Sequence, residues 1–249
     1  MKPDFPDSRH CPLRHQALIS PGKIAIRLKE QECSFGQLDA MVENCRDNYQ
    51  TWGLKRGDRL AVMVVSPLDT IVLAFACLRA GWVFSPVNPA IPDQQVQAYC
   101  QRIGASLVTG SAGIDMEIEG CDQTFTEQCE WMPPFAPVSL DENDTFSLVA
   151  TSGTSKAVAH CYRNHYFSAL GSLATLPLEP GDSWLLSLPL FHVGGFSIVM
   201  RCILSGATMV LYLKETPLQD ILEKEDVSHL SLVNTQLFRL LEQGADLYR

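Results

Sequence analysis

The chain has 249 residues, 46% of them hydrophobic and 19% charged, a composition that supports a folded core and excludes a largely disordered protein. Its formal net charge of -9 excludes binding to nucleic acid or to an anionic membrane through a general basic field. The nine cysteines include no C-x-x-C pair, so they fit neither a disulfide framework nor a zinc site and favour buried thiols in a reducing cytoplasm.

The start of the chain, MKPDFPDSRHCPLRHQ, lacks the apolar core of a secretory signal. Two longer apolar stretches, 71–87 and 185–204, are interrupted by residues that include Pro86, Pro189 and Arg201. Such interruptions are typical of buried elements rather than of membrane-spanning helices. The sequence therefore predicts a soluble, cytoplasmic protein.

The N-terminal part of the chain alternates short β-rich runs with helical patterns. Strands are predicted at residues 24–28, 60–65, 82–85 and 106–109. Ser34 is a suitable N-cap for the first helix of this part. Pro67 and Pro92 stand where the first turns of two further helices tolerate proline.

The C-terminal part continues this alternation after an irregular stretch at 110–143. A strand at 146–150 is followed by a polar loop and by a helix from about His160 to Leu176. Further strands are predicted at 184–188, 208–212 and 229–232, with helices near 196–204, 217–224 and 234–243. The whole pattern predicts an α/β protein whose mostly parallel sheets are covered by helices.

A hydroxyl-rich loop follows the strand at 146–150 and consists of Thr151, Ser152, Gly153, Thr154, Ser155 and Lys156. We place it between a strand and a helix, where loop amides and the helix N-terminus attract anions. The loop therefore predicts a phosphate site, although an ordinary polar connection explains so short a loop equally well. It is not a Walker loop, and no G-x-G-x-x-G follows any predicted strand.

The segment LPLFHVGGF at 188–196 places His192 just before Gly194 and Gly195. A histidine among apolar residues is more often a core residue than a site residue. The glycine pair, however, lets a ligand approach the backbone closely. A strand that ends here would bring His192 to the same sheet edge as the hydroxyl-rich loop, so His192 is a candidate site residue.

Arg201 stands in the otherwise apolar run 196–204. A guanidinium cannot be buried without an anionic or carbonyl partner. Arg201 either extends to the surface, which is the commoner outcome, or faces a pocket and pairs with a substrate carboxylate.

The order of these segments resembles the acyl-adenylate-forming superfamily, which contains acyl-CoA synthetases, luciferases and adenylation domains of peptide synthetases. The matching motifs are AG…PVNP at 80–89, TSGTSKAVAH at 151–160 and LPLFHVGG at 188–195. These motifs, together with SLVNTQLFRLL at 231–241, are most similar to the bacterial o-succinylbenzoate–CoA ligases of menaquinone synthesis. The resemblance runs from about Ser34 to the end of the chain.

The resemblance implies a partial N-terminal adenylating domain with lobes at about 58–180 and at 1–57 plus 183–249. It implies a two-step reaction in which ATP, with Mg²⁺, converts a small carboxylic acid to acyl-AMP and CoA then forms the thioester. Residues 151–156 would bind the ATP phosphates, with Lys156 also catalytic. His192 would lie at the activated carboxylate as a catalytic and substrate-binding residue, and Gly194 and Gly195 would line the acid pocket. Arg201 as the partner of a second carboxylate is our own hypothesis.

Two departures from the family bear on activity. The family's loop usually continues with Gly-x-Pro before the lysine, whereas Ser155 here is followed directly by Lys156. This shortening is expected to weaken the hold on the β- and γ-phosphates. Family members also continue beyond the counterpart of Arg249 with segments for adenine and ribose and with a C-terminal lid domain that carries a catalytic lysine. The expectation is that this chain alone adenylates poorly.

Other functions stay open at this point. An adenylating enzyme for another aryl or fatty acid would carry the same motifs. A non-catalytic remnant that binds a ligand or partner fits the short loop. A hydrolase built on Ser152, Ser155 and Lys156 lacks the S-x-x-K spacing and is disfavoured. The missing phosphate fingerprint excludes a dinucleotide-dependent oxidoreductase.

Overall fold

Two five-stranded sheets form the framework of the protein in a computed structural model that describes residues 5–109, 136–151, 156–212 and 216–245. The strands are β1 (Ile24–Leu28), β2 (Gln31–Ser34), β3 (Arg59–Met63), β4 (Val83–Val87), β5 (Leu107–Thr109), β6 (Thr145–Ala150), β7 (Ala157–Cys161), β8 (Ser183–Leu185), β9 (Thr208–Leu211) and β10 (His229–Leu230). The helices are α1 (Pro12–Ile19), α2 (Phe35–Thr51), α3 (Pro67–Ala80), α4 (Asp93–Ile103), α5 (Tyr162–Thr175), α6 (Val193–Ser205), α7 (Leu218–Lys224) and α8 (Asn234–Glu242). Within the described ranges, no helix has the length and apolarity needed to span a membrane.

The strand order is β5-β3-β4-β6-β7 in the first sheet and β10-β8-β9-β1-β2 in the second. Neighbouring strands are parallel except at one edge of each sheet, where β7 pairs antiparallel with β6 and β2 pairs antiparallel with β1. This arrangement confirms the predicted α/β class with mostly parallel sheets. Because β3, β4 and β6 run the same way, their carboxyl ends meet at one edge, where ligands of such sheets bind.

The starts of α2 and α3 follow from local sequence signals. Ser34 Oγ accepts a hydrogen bond from Gln37 N at 3.2 Å, and the Gln37 side chain accepts one from Ser34 N at 2.8 Å, forming a capping box. Helix α3 begins at Pro67 and is capped at its C-terminus by Gly81, whose φ of 72° is the left-handed conformation that glycine adopts without strain. Both predicted helix starts are confirmed.

One hydrophobic cluster joins the two sheets. It contains buried residues of α2, α3, α5 and α6 together with strand residues such as Phe84 of the first sheet and Trp184 of the second. The rings of Phe84 and of Phe196 on α6 lie 5.9 Å apart. The two sheets therefore share this cluster as a common hydrophobic core.

A buried ion network lies where α1, α2 and α3 meet. The side chain of Arg79 is fully buried, and its guanidinium contacts the carboxylates of Asp39 and Glu43, the latter at 2.6 Å. Arg14 Nε lies 2.9 Å from Asp39 Oδ1. Charges removed from water need such partners, so this network fixes the relative positions of the three helices.

The segment after the hydroxyl-rich loop is a strand, which was not predicted, and the helix predicted from about His160 to Leu176 follows it as α5. β7 pairs with β6 in a register that sets Ala157 opposite Ala150, and α5 begins only at Tyr162. The short run at 157–161 carries no helix-breaking residue, so pattern alone could not separate it from the helix that follows. The predicted strand–loop–helix junction is therefore a β-hairpin. α1 and β2 were not predicted either.

Candidate functional site

A cavity of about 400 Å³ lies at the carboxyl ends of β4 and β6. Its described lining residues come from β4 and the turn after it, from α4, from the end of β6 and from the segment before α6. They are Pro86, Val87, Asn88, Ile91, Gln95, Ala98, Tyr99, Arg102, Ala150, Thr151, Phe191 and His192. Among these residues Arg102 carries a fixed positive charge and none is a carboxylate. The lining is therefore mostly apolar and favours an anionic over a cationic guest.

Helix α4 forms a wall that the sequence patterns did not single out. Gln95, Tyr99 and Arg102 are spaced i, i+4 and i+7, which places them on one helical face. The Tyr99 hydroxyl lies 2.8 Å from Ser85 Oγ, which donates to the Leu148 carbonyl at 3.0 Å. Burial raises the pKa of Tyr99, so its hydroxyl stays neutral. This spacing, directly after the PVNP motif, is the signal that could have identified the wall.

Thr151 lies at the end of β6 and lines the cavity. Its backbone N–H donates to the Lys156 carbonyl at 2.8 Å, and its hydroxyl donates to the same oxygen at 3.2 Å. These two bonds close the base of the β6–β7 hairpin, and Lys156 is exposed beside it. The other predicted phosphate-binding residues, Ser152, Gly153, Thr154 and Ser155, lie outside the described residues.

His192 lines the same cavity as Thr151 and is the N-cap residue of α6. Its backbone N–H donates to the Pro189 carbonyl at 3.1 Å, and the centroid of its ring lies 4.6 Å from that of Phe191. The first-turn amides of a helix lack acceptors within the helix, and its N-terminus carries a partial positive charge. The structure thus brings the His192 ring, the start of α6 and the hairpin base together.

Gly194 and Gly195 lie in the first turn of α6 and are not among the residues that line this cavity. Gly195 instead permits a close backbone contact, since a Cβ built on it would lie 2.2 Å from the Pro189 carbonyl oxygen. A Cβ on Gly194 would meet Leu188 Cδ1 at 3.4 Å. Gly195 therefore lets α6 begin directly against the segment that leads into it, and this contact positions His192.

Arg201 is not among the lining residues of the cavity. Its guanidinium stacks over the ring of Trp184, with Cζ 4.1 Å from the ring centroid, and Nη1 donates to Ser172 Oγ at 2.9 Å. Nε donates to the Ser197 carbonyl at 3.1 Å, which shows that the side chain folds back one turn toward the start of α6. Burial lowers the pKa of Arg201. Within the described part of the chain, this guanidinium contacts hydroxyl, carbonyl and aromatic groups.

A buried histidine joins the two elements that carry Thr151 and His192. His165 of α5 is 6% exposed, and its Nε2 lies 2.8 Å from Ser147 Oγ on β6. The rings of Phe146 on β6 and Phe196 on α6 approach the imidazole edge-on, at centroid distances of 5.4 and 5.3 Å. The imidazole therefore contacts both elements at once.

We expect His165 to make the protein acid-sensitive. Burial, and after it the charge of His160, lower the pKa of His165 from 6.5 to about 4. Between these pH values His165 binds a proton in the unfolded chain but not in the folded chain. The free energy of unfolding therefore has its full value above about pH 6.5 and falls as the pH drops toward 4. The shift corresponds to a loss of roughly 3 kcal/mol. Urea unfolding at pH 7.0 and 4.5 should show His165→Phe losing less stability over this interval than the wild type, whereas equal losses would contradict the assignment.

Nearly the whole chain is similar to known proteins. Residues 13–248 match the family described as AMP-binding enzyme. The 2-succinylbenzoate–CoA ligase of Salmonella typhimurium is 30% identical over 238 residues, which cover 94% of this chain and 50% of that protein. The chain thus spans about half the length of the curated relatives it matches.

Two solved structures share the fold over nearly all of this chain. Wild-type MenE from Escherichia coli, solved with an m-phenylether-linked analogue of OSB-AMS, gives a TM-score of 0.78 at 28% identity and covers 96% of this chain and 53% of that one. The o-succinylbenzoate CoA synthetase of Bacillus subtilis, solved with the acyl-adenylate intermediate OSB-AMP, gives 0.79 at 25% identity, with 94% and 50% covered.

Proposed function

Because the chain belongs to the AMP-binding enzyme family, we propose that it is the N-terminal portion of an AMP-forming acid–CoA ligase that activates 2-succinylbenzoate for menaquinone synthesis. ATP with Mg²⁺ and CoA would be the co-substrates. The observation that carries this proposal is that Thr151 and His192 line one cavity. A phosphate-binding hairpin and an acid-binding histidine must lie together for a carboxylate to reach the phosphate.

In the proposed first step, a carboxylate oxygen of the acid attacks the α-phosphorus of ATP, and the bond to pyrophosphate breaks to leave acyl-AMP. In the second step, the CoA sulfur attacks the acyl carbon and AMP leaves. Neither step needs a covalent enzyme intermediate, so the protein contributes positioning and charge stabilisation. We assign the phosphates to residues 151–156, with Lys156 as a charge-neutralising and catalytic residue. We assign the reacting carboxylate to His192 and the adjacent first turn of α6, which Gly195 allows to lie against the segment before it; neither Gly194 nor Gly195 is among the described residues that line the cavity.

We also propose that the chain divides into lobes at residues 58–180 and at 1–57 plus 183–249. The strands of the first sheet, from Arg59 to Cys161, fall within the former range. Those of the second sheet come from the start of the chain, at Ile24–Ser34, and from Ser183 onward. The cavity draws lining residues from both ranges, so the reacting groups would meet between the lobes.

The experiment that tests the function measures two properties of this chain: calorimetric binding of 2-succinylbenzoate, and ATP–pyrophosphate exchange dependent on it. We expect binding together with weak exchange, because the hairpin closes at Thr151 and Lys156 without the family's Gly-x-Pro. Inserting Gly-Ala-Pro between Ser155 and Lys156 should raise exchange at least tenfold while leaving acid affinity unchanged. Binding of benzoate or a fatty acid instead would keep the family and replace the substrate.

The short hairpin favours one alternative, a ligand-binding protein that does not catalyse. In that case 2-succinylbenzoate would bind, and exchange would stay absent even after the insertion. No binding and no exchange with any acid would contradict both functions for this chain.

Arg201 lies outside the cavity lining, and we propose that it binds the second carboxylate of an acid that extends from His192 along α6. Its guanidinium reaches back to Ser197, which lies about 7–8 Å along the helix axis from His192 at ~1.5 Å per residue. This separation suits an acid with two carboxylates. Arg201→Ala should weaken 2-succinylbenzoate binding by roughly 10–100-fold, the equivalent of one charge-assisted hydrogen bond, and leave benzoate binding unchanged. Arg163→Ala, which removes an exposed arginine over Phe167, is the control; unchanged 2-succinylbenzoate affinity in Arg201→Ala would refute the assignment.

A further inference from the structure

We propose that His165 is a positioning residue that sets the hairpin base at Thr151 and the histidine at His192 in their relative places, an inference that rests on the proposed function. His165 is not among the described residues that line the cavity. Its hydrogen bond and its edge-on ring contacts lie instead on β6 and α6, the two elements that lead to Thr151 and from His192.

The first contact is polar and directional. Ser147 is 1% exposed, and its hydroxyl lies 2.8 Å from His165 Nε2. It stands on β6 three residues before Ala150, which lines the cavity, and Thr151 follows directly. Because a strand is stiff over so few residues, holding Ser147 holds the place where β6 enters the hairpin.

The second contact is aromatic. Phe196 lies one helical turn after His192, is 4% exposed and meets the His165 ring at 5.3 Å with an interplanar angle of 81°. Phe146 and Phe84 surround the same ring of Phe196 at 5.7 and 5.9 Å. Edge-on aromatic contacts depend on angle as well as distance, so they orient the first turn of α6.

His165 combines both contacts in one side chain, and this is why we single it out. The aromatic rings alone would keep β6 and α6 in contact yet allow them to slide. The hydrogen bond to Ser147 adds a direction that apolar packing lacks. A phenylalanine at this position would keep the ring contacts and lose the bond, so the two contributions can be separated.

The test compares His165→Phe and Ser147→Ala with the matched control Tyr166→Phe. Tyr166 is the neighbouring residue on α5, is also 6% exposed, and its hydroxyl donates to the Pro6 carbonyl at 2.6 Å, away from the cavity lining. All three variants should lower the melting temperature. Only the first two should weaken calorimetric binding of 2-succinylbenzoate, by about tenfold, and His165→Gln, which can replace Nε2 with an amide, should recover part of the affinity. Unchanged affinity in His165→Phe and Ser147→Ala would overturn the proposal.

A ligand-free measurement keeps the two proposals distinguishable. In NMR spectra of the same variants, the amide signal of Thr151 and the ring signals of His192 should shift in His165→Phe and Ser147→Ala and stay in place in Tyr166→Phe. If the wild-type chain binds no acid, the proposed function fails, and these spectra alone decide the positioning role. Signals that do not move, or that move equally in the control, would overturn it.

Discussion

Replacing Gly195 with alanine is expected to destabilise the protein and to abolish acid binding together. The added Cβ would lie 2.2 Å from the Pro189 carbonyl oxygen and 2.7 Å from that of Leu188, and both obstacles are backbone atoms that cannot rotate away. Relief requires the first turn of α6 to move from the segment that carries His192. We expect a loss of about 3 kcal/mol, at the upper end for overpacking, and at least a tenfold loss of 2-succinylbenzoate affinity. Urea unfolding and calorimetry measure the two effects.

Gly194→Ala is the matched control for this substitution. It adds the same methyl group one residue earlier, where the nearest atom is Leu188 Cδ1 at 3.4 Å, a flexible side-chain end. Alanine also favours the helix over glycine by up to ~1 kcal/mol. We expect stability within about 1 kcal/mol of the wild type and unchanged binding. Similar losses in both variants would show that the close contact of Gly195 is not the cause.

Replacing Arg79 with methionine is expected to produce the largest loss of stability. The side chain is completely buried, and its removal leaves the carboxylates of Asp39 and Glu43 with less positive charge nearby. Removing one partner of a buried ion pair costs roughly 3–5 kcal/mol, because the other charge stays buried without full compensation. Methionine keeps most of the volume, so urea unfolding at pH 7 reports mainly the charge.

Arg56→Met provides the comparison on the surface. Arg56 also pairs with two carboxylates, those of Asp141 and Asp144, but its side chain is 61% exposed. Water and salt screen exposed pairs, so the expected change is below about 1 kcal/mol. A loss in Arg79→Met no larger than this would show that burial adds nothing to the network.

Local signals in the sequence predicted the parts of the fold that local interactions decide. The capping box of Ser34 and Gln37 involves only residues within one turn of each other. The first turn of a helix tolerates a proline such as Pro67 whatever lies around it. Hydrophobic alternation predicted the α/β class. None of these predictions needed knowledge of distant contacts.

The antiparallel pairing of β6 with β7 could not be predicted in this way. Residues 157–161 form a strand because they pair with the edge of β6, where Ala157 lies opposite Ala150. This pairing is a contact with another element and is not visible in the residues themselves. The position of Tyr99 in the cavity wall could not be predicted either, because its hydroxyl is held by Ser85, a residue of another element. For Arg201 the sequence left open whether the side chain extends to the surface or faces a pocket. Its position depends on the ring of Trp184, which belongs to a strand 17 residues earlier in the chain, so the neighbouring residues could not decide it.

The two sheets differ in whether their strands come from one continuous stretch of the chain. The first sheet uses one continuous stretch, from Arg59 to Cys161, whereas β1 at the start of the second sheet pairs with β9. Thr208 Oγ1 donates to the Ile24 carbonyl across 184 residues. Because β9 leaves the ribosome only after every strand of the first sheet, folding during synthesis would begin with the first sheet. The β1–β2 hairpin would wait with an unpaired edge until β9 emerges, and this is the interval in which a nascent chain is most exposed to aggregation and most in need of a chaperone.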